Sequence, residues 1–293
     1  MALLMPKKVR RVLKINVFMV MGLFLLTPVC AATAVAQKWA AVTQVQQTNN
    51  PQSIGSYTAG CISGAVALPI NGQGFQVMRL SRKRNFGHPN LTRFIEQLGL
   101  AAHNQQLGTL LIGDLGQPRG GPTLSGHRSH QTGLDVDIWF LLSKQAGQRV
   151  LSFSERETWG APSVLAGHSD TLDFRQWRPE HEKVLELAAS SPDVERIFVN
   201  PSIKRELCKR PTARAWLQKI RPWWKHDDHF HVRLKCPGNN PHCQRQEPLP
   251  AGDGCDAGLN WWFSEEAKHP KPPTTAPKPL VLPSLCEQVL QAP

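Results

Sequence analysis

The 293-residue chain has one tyrosine, 19% charged residues and a single long apolar run, Ile15 to Leu26. One such run excludes a multi-span membrane protein, because each span needs about 20 apolar residues. Modest charge alongside 9 Trp and 41% hydrophobic residues excludes wholesale disorder. No C-x-x-C pair occurs, so cysteine metal ligation lacks its usual spacing. Also missing are G-x-S-x-G, S-x-x-K and G-x-x-x-x-G-K-[ST], the signatures of serine nucleophiles and NTPases. Between Gln37 and Phe263 there is no repeat and no low-complexity tract. What is left is a core-forming globular protein, long enough for one large domain or two small ones.

The N-terminus carries Lys7, Lys8, Arg10, Arg11 and Lys14 with no acid, then the apolar run, then small residues ending Ala34-Val35-Ala36. A basic segment, a short apolar segment and an A-x-A site predict a secretory signal peptide over residues 1–36. The run is short for a span, so no stable membrane anchor is expected after cleavage. Without those residues, 257 remain with a net charge of +7, which suits an anionic polymer such as a cell wall and would also suit nucleic acid. Six cysteines also remain: Cys61, Cys208, Cys236, Cys243, Cys255 and Cys286. In an exported chain they predict three disulfides, drawn from 15 connectivities. Cys236 and Cys243 bracket Pro-Gly-Asn-Asn-Pro-His, a turn-rich stretch suited to closing a small loop.

Pro89 opens a helix with Leu91, Phe94, Ile95, Leu98 and Ala102 at helical spacing, ended by Gly108. Thr109 to Ile112 reads as a buried strand. The Gly/Pro-rich loop Gly116 to Gly126 leads into Gly133 to Trp139, which alternates like a strand. Glu180 to Ala189 and Thr212 to Ile220 read as helices, and Val194 to Val199 and His229 to Leu234 as strands. Without a regular βαβ period, the expected class is α+β: a single disulfide-stabilised domain over 37–263, with helices around a small antiparallel sheet. Residues 264–293 hold seven of the 24 prolines and are expected to be an extended, partly mobile tail, tied back if Cys286 is bridged.

Five of the eleven histidines fall in two stretches, His127-Arg-Ser-His130 and His226-Asp-Asp-His229-Phe-His231. In a strand, residues i and i+2 share a face, which pairs His229 with His231 and Asp135 with Asp137. His130, Asp137 and His231 would then form a two-His, one-carboxylate site with an open position for water, as catalytic Zn²⁺ requires. An H-x-H by itself is often only a polar strand face. The H-x(6)-D segment after a Gly-rich loop, in a chain with a leader, favours the site. Counting back from His229, a straight strand puts residue 227 on the metal-facing side, so His226 reaches the site only if residues 225–228 bend. Trp139, Trp223 and Trp224 are read as core packing. Two rival classes are a non-catalytic wall-binding module and a secreted metal-dependent nuclease. The nuclease lacks an interleaved strip of Arg and aromatic residues, and no nucleic-acid partner is expected.

Ser129-His130-Gln131-Thr132-Gly133-Leu134-Asp135-Val136-Asp137, with His226-x-x-His229-x-His231 downstream, resembles the penicillin-insensitive murein endopeptidases, which group with the lysostaphin-type and D-Ala-D-Ala metallopeptidases. The resemblance extends from Gln52 to Cys61, through Phe86-Gly87-His88-Pro89 and Arg196 to Pro201, to Gly252-Asp253-Gly254-Cys255. It implies one catalytic Zn²⁺ on His130, Asp137 and His231, with His127 as a further metal-binding position and room for a second ion. It implies that His226 and His229 serve catalysis, His226 standing where the wider superfamily has a Glu, while Asp135 supports rather than ligates. His168 and Asp170 do not match the spacing of a further Asp/His pair found in some members. The implied disulfides are Cys61 with Cys286, Cys208 with Cys255, and Cys236 with Cys243. The implied reaction is hydrolysis, in the periplasm, of the D-alanyl-meso-diaminopimelyl crosslink of peptidoglycan.

Overall fold

The computed structural model describes residues 28–124, 128–167, 169–210, 214–271 and 279–293, with side chains from residue 34 onward. The basic and apolar stretches of 1–26, and the positions His127, His168 and Thr212, lie outside the described residues. The strands are β1 (Gln52–Ser56), β2 (Ala59–Ser63), β3 (Val66–Ala67), β4 (Asn71–Gly72), β5 (Phe75–Val77), β6 (Phe86–Gly87), β7 (Leu110–Ile112), β8 (Asp135–Trp139), β9 (Val194–Val199), β10 (Ile220–Pro222) and β11 (His229–Leu234). The helices are α1 (Pro28–Ala41), α2 (Pro89–Asn104), α3 (Phe153–Thr158), α4 (Pro179–Ser190), α5 (Pro201–Leu207), α6 (Ala257–Trp261), α7 (Glu265–Lys268) and α8 (Ser284–Gln291).

Helix α2 forms for reasons visible in its residues. Nδ1 of His88 accepts a hydrogen bond from the Asn90 amide at 3.1 Å, and Pro89 takes the first helical position, where a missing N–H costs nothing. Leu91, Phe94, Ile95, Leu98 and Ala102 then form one buried stripe against the sheet. Each of the larger ones contributes about 1.5–3 kcal/mol by leaving water, and Leu98→Ala would cost about 2–5 kcal/mol once the cavity is included. The histidine of the Phe86-Gly87-His88-Pro89 motif is therefore a helix cap.

The α+β class agrees with the sequence reading, but the sheet is neither small nor purely antiparallel. Seven strands run in the order β10-β9-β11-β8-β7-β5-β4. Pairs β9/β10 and β5/β7 are parallel, because α5 and α2 supply the crossovers. Strands β4, β5 and β10 have two or three residues each, too few to display a period, which is why the sequence concealed them. The expected helix at 212–220 is instead a 3₁₀ turn, Ala215–Lys219, running straight into β10. Only Leu217 is buried within it, so no apolar stripe sustains a longer helix.

Strands β8 and β11 lie at the centre. Val136, Ile138, Phe230 and Val232 face the main core, so the period of two sends Asp135, Asp137, His229, His231 and Arg233 to the opposite face. The ladder sets His231 directly opposite Asp137, and Arg233 opposite Asp135. A one-residue slip would drive the histidines into the core, so apolar burial also fixes the register of the polar face.

The three disulfides are Cys61–Cys286, Cys208–Cys255 and Cys236–Cys243. The tail departs from the extended reading. Ser264 caps α7, and Cys286 and Val289 bury one side of α8 beside Cys61, Ile54 and Trp39. Buried Arg119 donates to the carbonyls of Val289 (2.8 Å), Ala292 (2.5 Å) and Pro293 (3.0 Å), satisfying acceptors that the end of α8 leaves open.

Candidate metal centre and active-site face

Three chain segments bring the site together. Asp137 and His231 come from the paired strands, and His130 from the loop that enters β8. That loop is pinned by Gln131, whose side-chain amide donates to Thr58 O and Arg128 O (both 2.9 Å) and whose Oε1 accepts from the Gly60 amide (3.2 Å). A Cβ on Gly120, at φ +66°, would stand 1.9 Å from the Gln131 carbonyl, so only glycine lets the two turns of the loop stack. His130 has φ 68°, a left-handed conformation that costs a non-glycine residue about 1–2 kcal/mol. The pinned neighbours hold it there, with its ring edge-on to that of His231, centroids 4.7 Å apart.

His130, Asp137 and His231 are all buried, and one potential ligand atom from each lies within 4.8 Å of the others. His130 Nε2 is 3.4 Å from Asp137 Oδ2, and His231 Nδ1 is 3.0 Å from Asp137 Oδ1. His231 Nε2 is 2.6 Å from Asp135 Oδ1, which also accepts from Arg233 Nε at 2.7 Å. Burial alone would raise the Asp135 carboxyl, but Arg233 and His231 outweigh it and hold the value at about 2. An ionised Asp135 fixes the His231 proton on Nε2 and turns the Nδ1 lone pair toward Asp137. Burial would likewise raise Asp137; His130 and His229 instead pull it well below the usual carboxylate range. Two imidazole lone pairs and a carboxylate converging in a buried space are a donor set that fits a divalent cation.

His229 and His226 border this triad. His229 Nε2 is 3.7 Å from Asp137 Oδ1, and its Nδ1 is 2.5 Å from Asp228 Oδ1. Burial opposes its charge, yet Asp137 and Asp228 raise it to about 9. Lys225 and His226 both have positive φ (61° and 52°), so the chain bends at the start of β11. The bend brings the His226 ring to 4.9 Å from His229 and 6.1 Å from His231. His226 Nδ1 donates to Trp224 O at 2.9 Å, which leaves Nε2 as an acceptor. Burial, reinforced by His229, lowers His226 to about 4.

Asp228 and Arg233 escaped the sequence reading. Both were signalled: Asp228 adjoins a site histidine, and Arg233 continues the H-x-H period of two on the same face. His127 lies outside the described residues. The core reading of the tryptophans holds for Trp139 and fails for Trp223. Trp223 is 54% exposed, Trp224 is half-buried, and Trp139 packs at the edge of a smaller cluster around Leu111 and Leu151.

Residues 53–291 match the family described as penicillin-insensitive murein endopeptidase. A protein so named from Haemophilus influenzae is 46% identical over 244 residues, 82% of either chain. Another, from Yersinia pestis bv. Antiqua, is 44% identical over 270 residues, 92% of this chain and 94% of its own. A third, from Klebsiella pneumoniae, is 43% identical over 264 residues, 89% of this chain and 93% of its own. The matched span takes in the paired strands, the loop bearing His130 and all three disulfides, and the chain belongs to the penicillin-insensitive murein endopeptidase family.

Proposed function

We propose that the chain is a zinc-dependent endopeptidase that hydrolyses D-alanyl-meso-diaminopimelyl crosslinks of peptidoglycan in the periplasm, after removal of residues 1–36. The observation that carries this reading is the buried convergence of His130, Asp137 and His231 in a member of a murein endopeptidase family. These three residues would hold the ion, and three protein ligands leave a position for water and substrate. When bound, zinc supplies Lewis acidity to the scissile carbonyl and lowers the pKa of water.

The remaining work falls to side chains. His226, neutral and with Nε2 as an acceptor, takes the proton from the attacking water. His229, oriented by the contact of its Nδ1 with Asp228, is placed to donate toward the oxyanion and then toward the leaving amine. Asp135 keeps His231 in one tautomer and one orientation. Cleavage after Ala36 would keep Trp39, which is buried against the Cys61–Cys286 region, and would remove Val35, which packs beside it. Three disulfides and a basic surface suit an oxidising compartment and an anionic wall polymer.

Digestion of purified sacculi tests the reading. Crosslinked muropeptide dimers should fall and monomers rise, with the activity abolished by a chelator, restored by Zn²⁺ and indifferent to β-lactams. Full activity after verified metal removal would refute it.

A further inference from the structure

Beside the triad lies a cleft of about 230 Å³ lined, among others, by Arg79, Arg82, Asp114, Asp137, Asp228 and His229, whose two arginines the chemistry above does not use. It is smaller than the roughly 300–1,000 Å³ of sites that enclose a whole ligand, so it accommodates one substituent of an extended substrate.

The cleft is tied to the site through backbone. The Asp137 amide donates to Asp114 O (3.0 Å) and the Gly113 amide to Asp137 O (2.8 Å), so the segment carrying Asp114 runs along the middle of β8. Asp114 Oδ2 accepts from Arg82 Nη1 at 3.0 Å and from Arg84 Nη1 at 2.9 Å. Two guanidiniums thus share one carboxylate, and Asp228 is bonded by His229 Nδ1 at 2.5 Å. Arg79 has no ion-pair partner among the described residues, and its guanidinium lies 5.5 Å from the centre of the Trp139 ring. Trp139 stands directly opposite His229 in the β8/β11 ladder, which puts Arg79 one side chain away from the catalytic histidines. Glu157, which also feels Arg79 and Arg82, is bonded by the amide and hydroxyl of Ser81 (3.0 and 2.6 Å). The Arg79 backbone sits in the left-handed region (φ 55°), anchored by its amide on Arg156 O at 3.1 Å. A guanidinium braced on an aromatic face keeps its N–H edges free for a planar, bidentate anion, and a carboxylate matches that fork.

We propose that Arg79, with Arg82 behind it, binds the carboxylate that flanks the scissile amide on the leaving-amine side. The inference rests on the proposed function. In that crosslink, the carbon bearing the scissile nitrogen also bears a free carboxylate. A substrate whose amide is seated at the triad carries this group into the adjoining cleft. Arg79 is then a specificity determinant that holds the substrate and takes no part in proton transfer.

The test measures kcat and KM for zinc-loaded enzyme on two crosslinked dimers, one with this carboxylate free and one with it converted to a carboxamide. The wild type should favour the free acid by about tenfold to a hundredfold, the worth of a charge-assisted pair. Arg79→Asn removes the charge while keeping a residue at home at positive φ, and should bring the ratio close to one, chiefly through KM. Arg79→Lys should give an intermediate ratio. An unchanged ratio in Arg79→Asn overturns the subsite, even if that variant is slower on both dimers. A wild type that cleaves both dimers equally well overturns the subsite and leaves the endopeptidase reading standing. Cleavage of neither dimer fells the endopeptidase reading and the subsite with it.

Discussion

His231 and Asp135 meet edge to edge across the β8/β11 ladder, with 2.6 Å between Nε2 and Oδ1, and this contact leaves Nδ1 as the imidazole nitrogen facing Asp137. Asp135→Asn should therefore weaken zinc binding by about 10–100-fold without removing a ligand. Competition with a chromophoric chelator measures the affinity directly. An unchanged value would reduce Asp135 to a partner of Arg233 alone.

His130→Ala, Asp137→Ala and His231→Ala should each lose bound zinc and keep the fold, since the core and the disulfides hold the frame. Metal content and circular dichroism on the purified variants separate the two effects. Wild-type stoichiometry in all three would displace the centre from these residues.

His226→Ala should behave differently. Its ring borders the triad without contributing to it, so zinc content should match the wild type while kcat falls by about two to four orders of magnitude, the range for a positioned acid or base. Zinc loss in this variant would make His226 a ligand, and near-normal turnover would make it a bystander.

Acid should destabilise the protein through His181. It is 2% exposed, its Nδ1 accepts from the Arg178 amide and its Nε2 donates to Phe140 O, and burial lowers its pKa to about 4. Between pH 6.5 and 4 the unfolded chain binds a proton that the folded chain refuses, so stability is complete above this window and falls by up to about 3 kcal/mol as pH drops through it. Urea midpoints at pH 7 and pH 5 should differ more for the wild type than for His181→Gln. Equal differences would exonerate His181.

Loss of the long-range disulfide should be costly as well. Cys286→Ser removes a crosslink spanning 225 positions and should destabilise by up to about 5 kcal/mol on the chain-entropy account. Thermal denaturation compares it with Arg119→Ala, which leaves the last carbonyls of α8 without their donor. A Cys286→Ser variant as stable as the wild type would mean that packing against Cys61 and Trp39 holds α8 unaided.

Strands β8 and β11 were legible because each alternates apolar and polar residues, and the same alternation put Asp137 and His231 on one face. The triad could be read for that reason, and because His130 follows a Gly-rich loop. Strands β1 and β2 were not read, since Gln52–Ser56 and Ala59–Ser63 are dominated by small residues with no alternation. The bend at Lys225 and His226 is legible only as a condition, because Lys carries no signal for positive φ, His only a weak one, and the surroundings set the conformation. Prolines around α8 hid an eight-residue amphipathic helix that depends on Cys61 and Arg119, both far away in sequence.

The Cys61–Cys286 bond encloses His130, Asp137, His226, His229 and His231 within one covalent ring. A single peptide-bond break anywhere in that ring releases no fragment, because both new ends remain tethered through sulfur. Nicked and intact molecules should share the same mass, apart from one added water, until a thiol reductant separates the pieces. On a gel, the integrity of this backbone is thus readable only under reducing conditions.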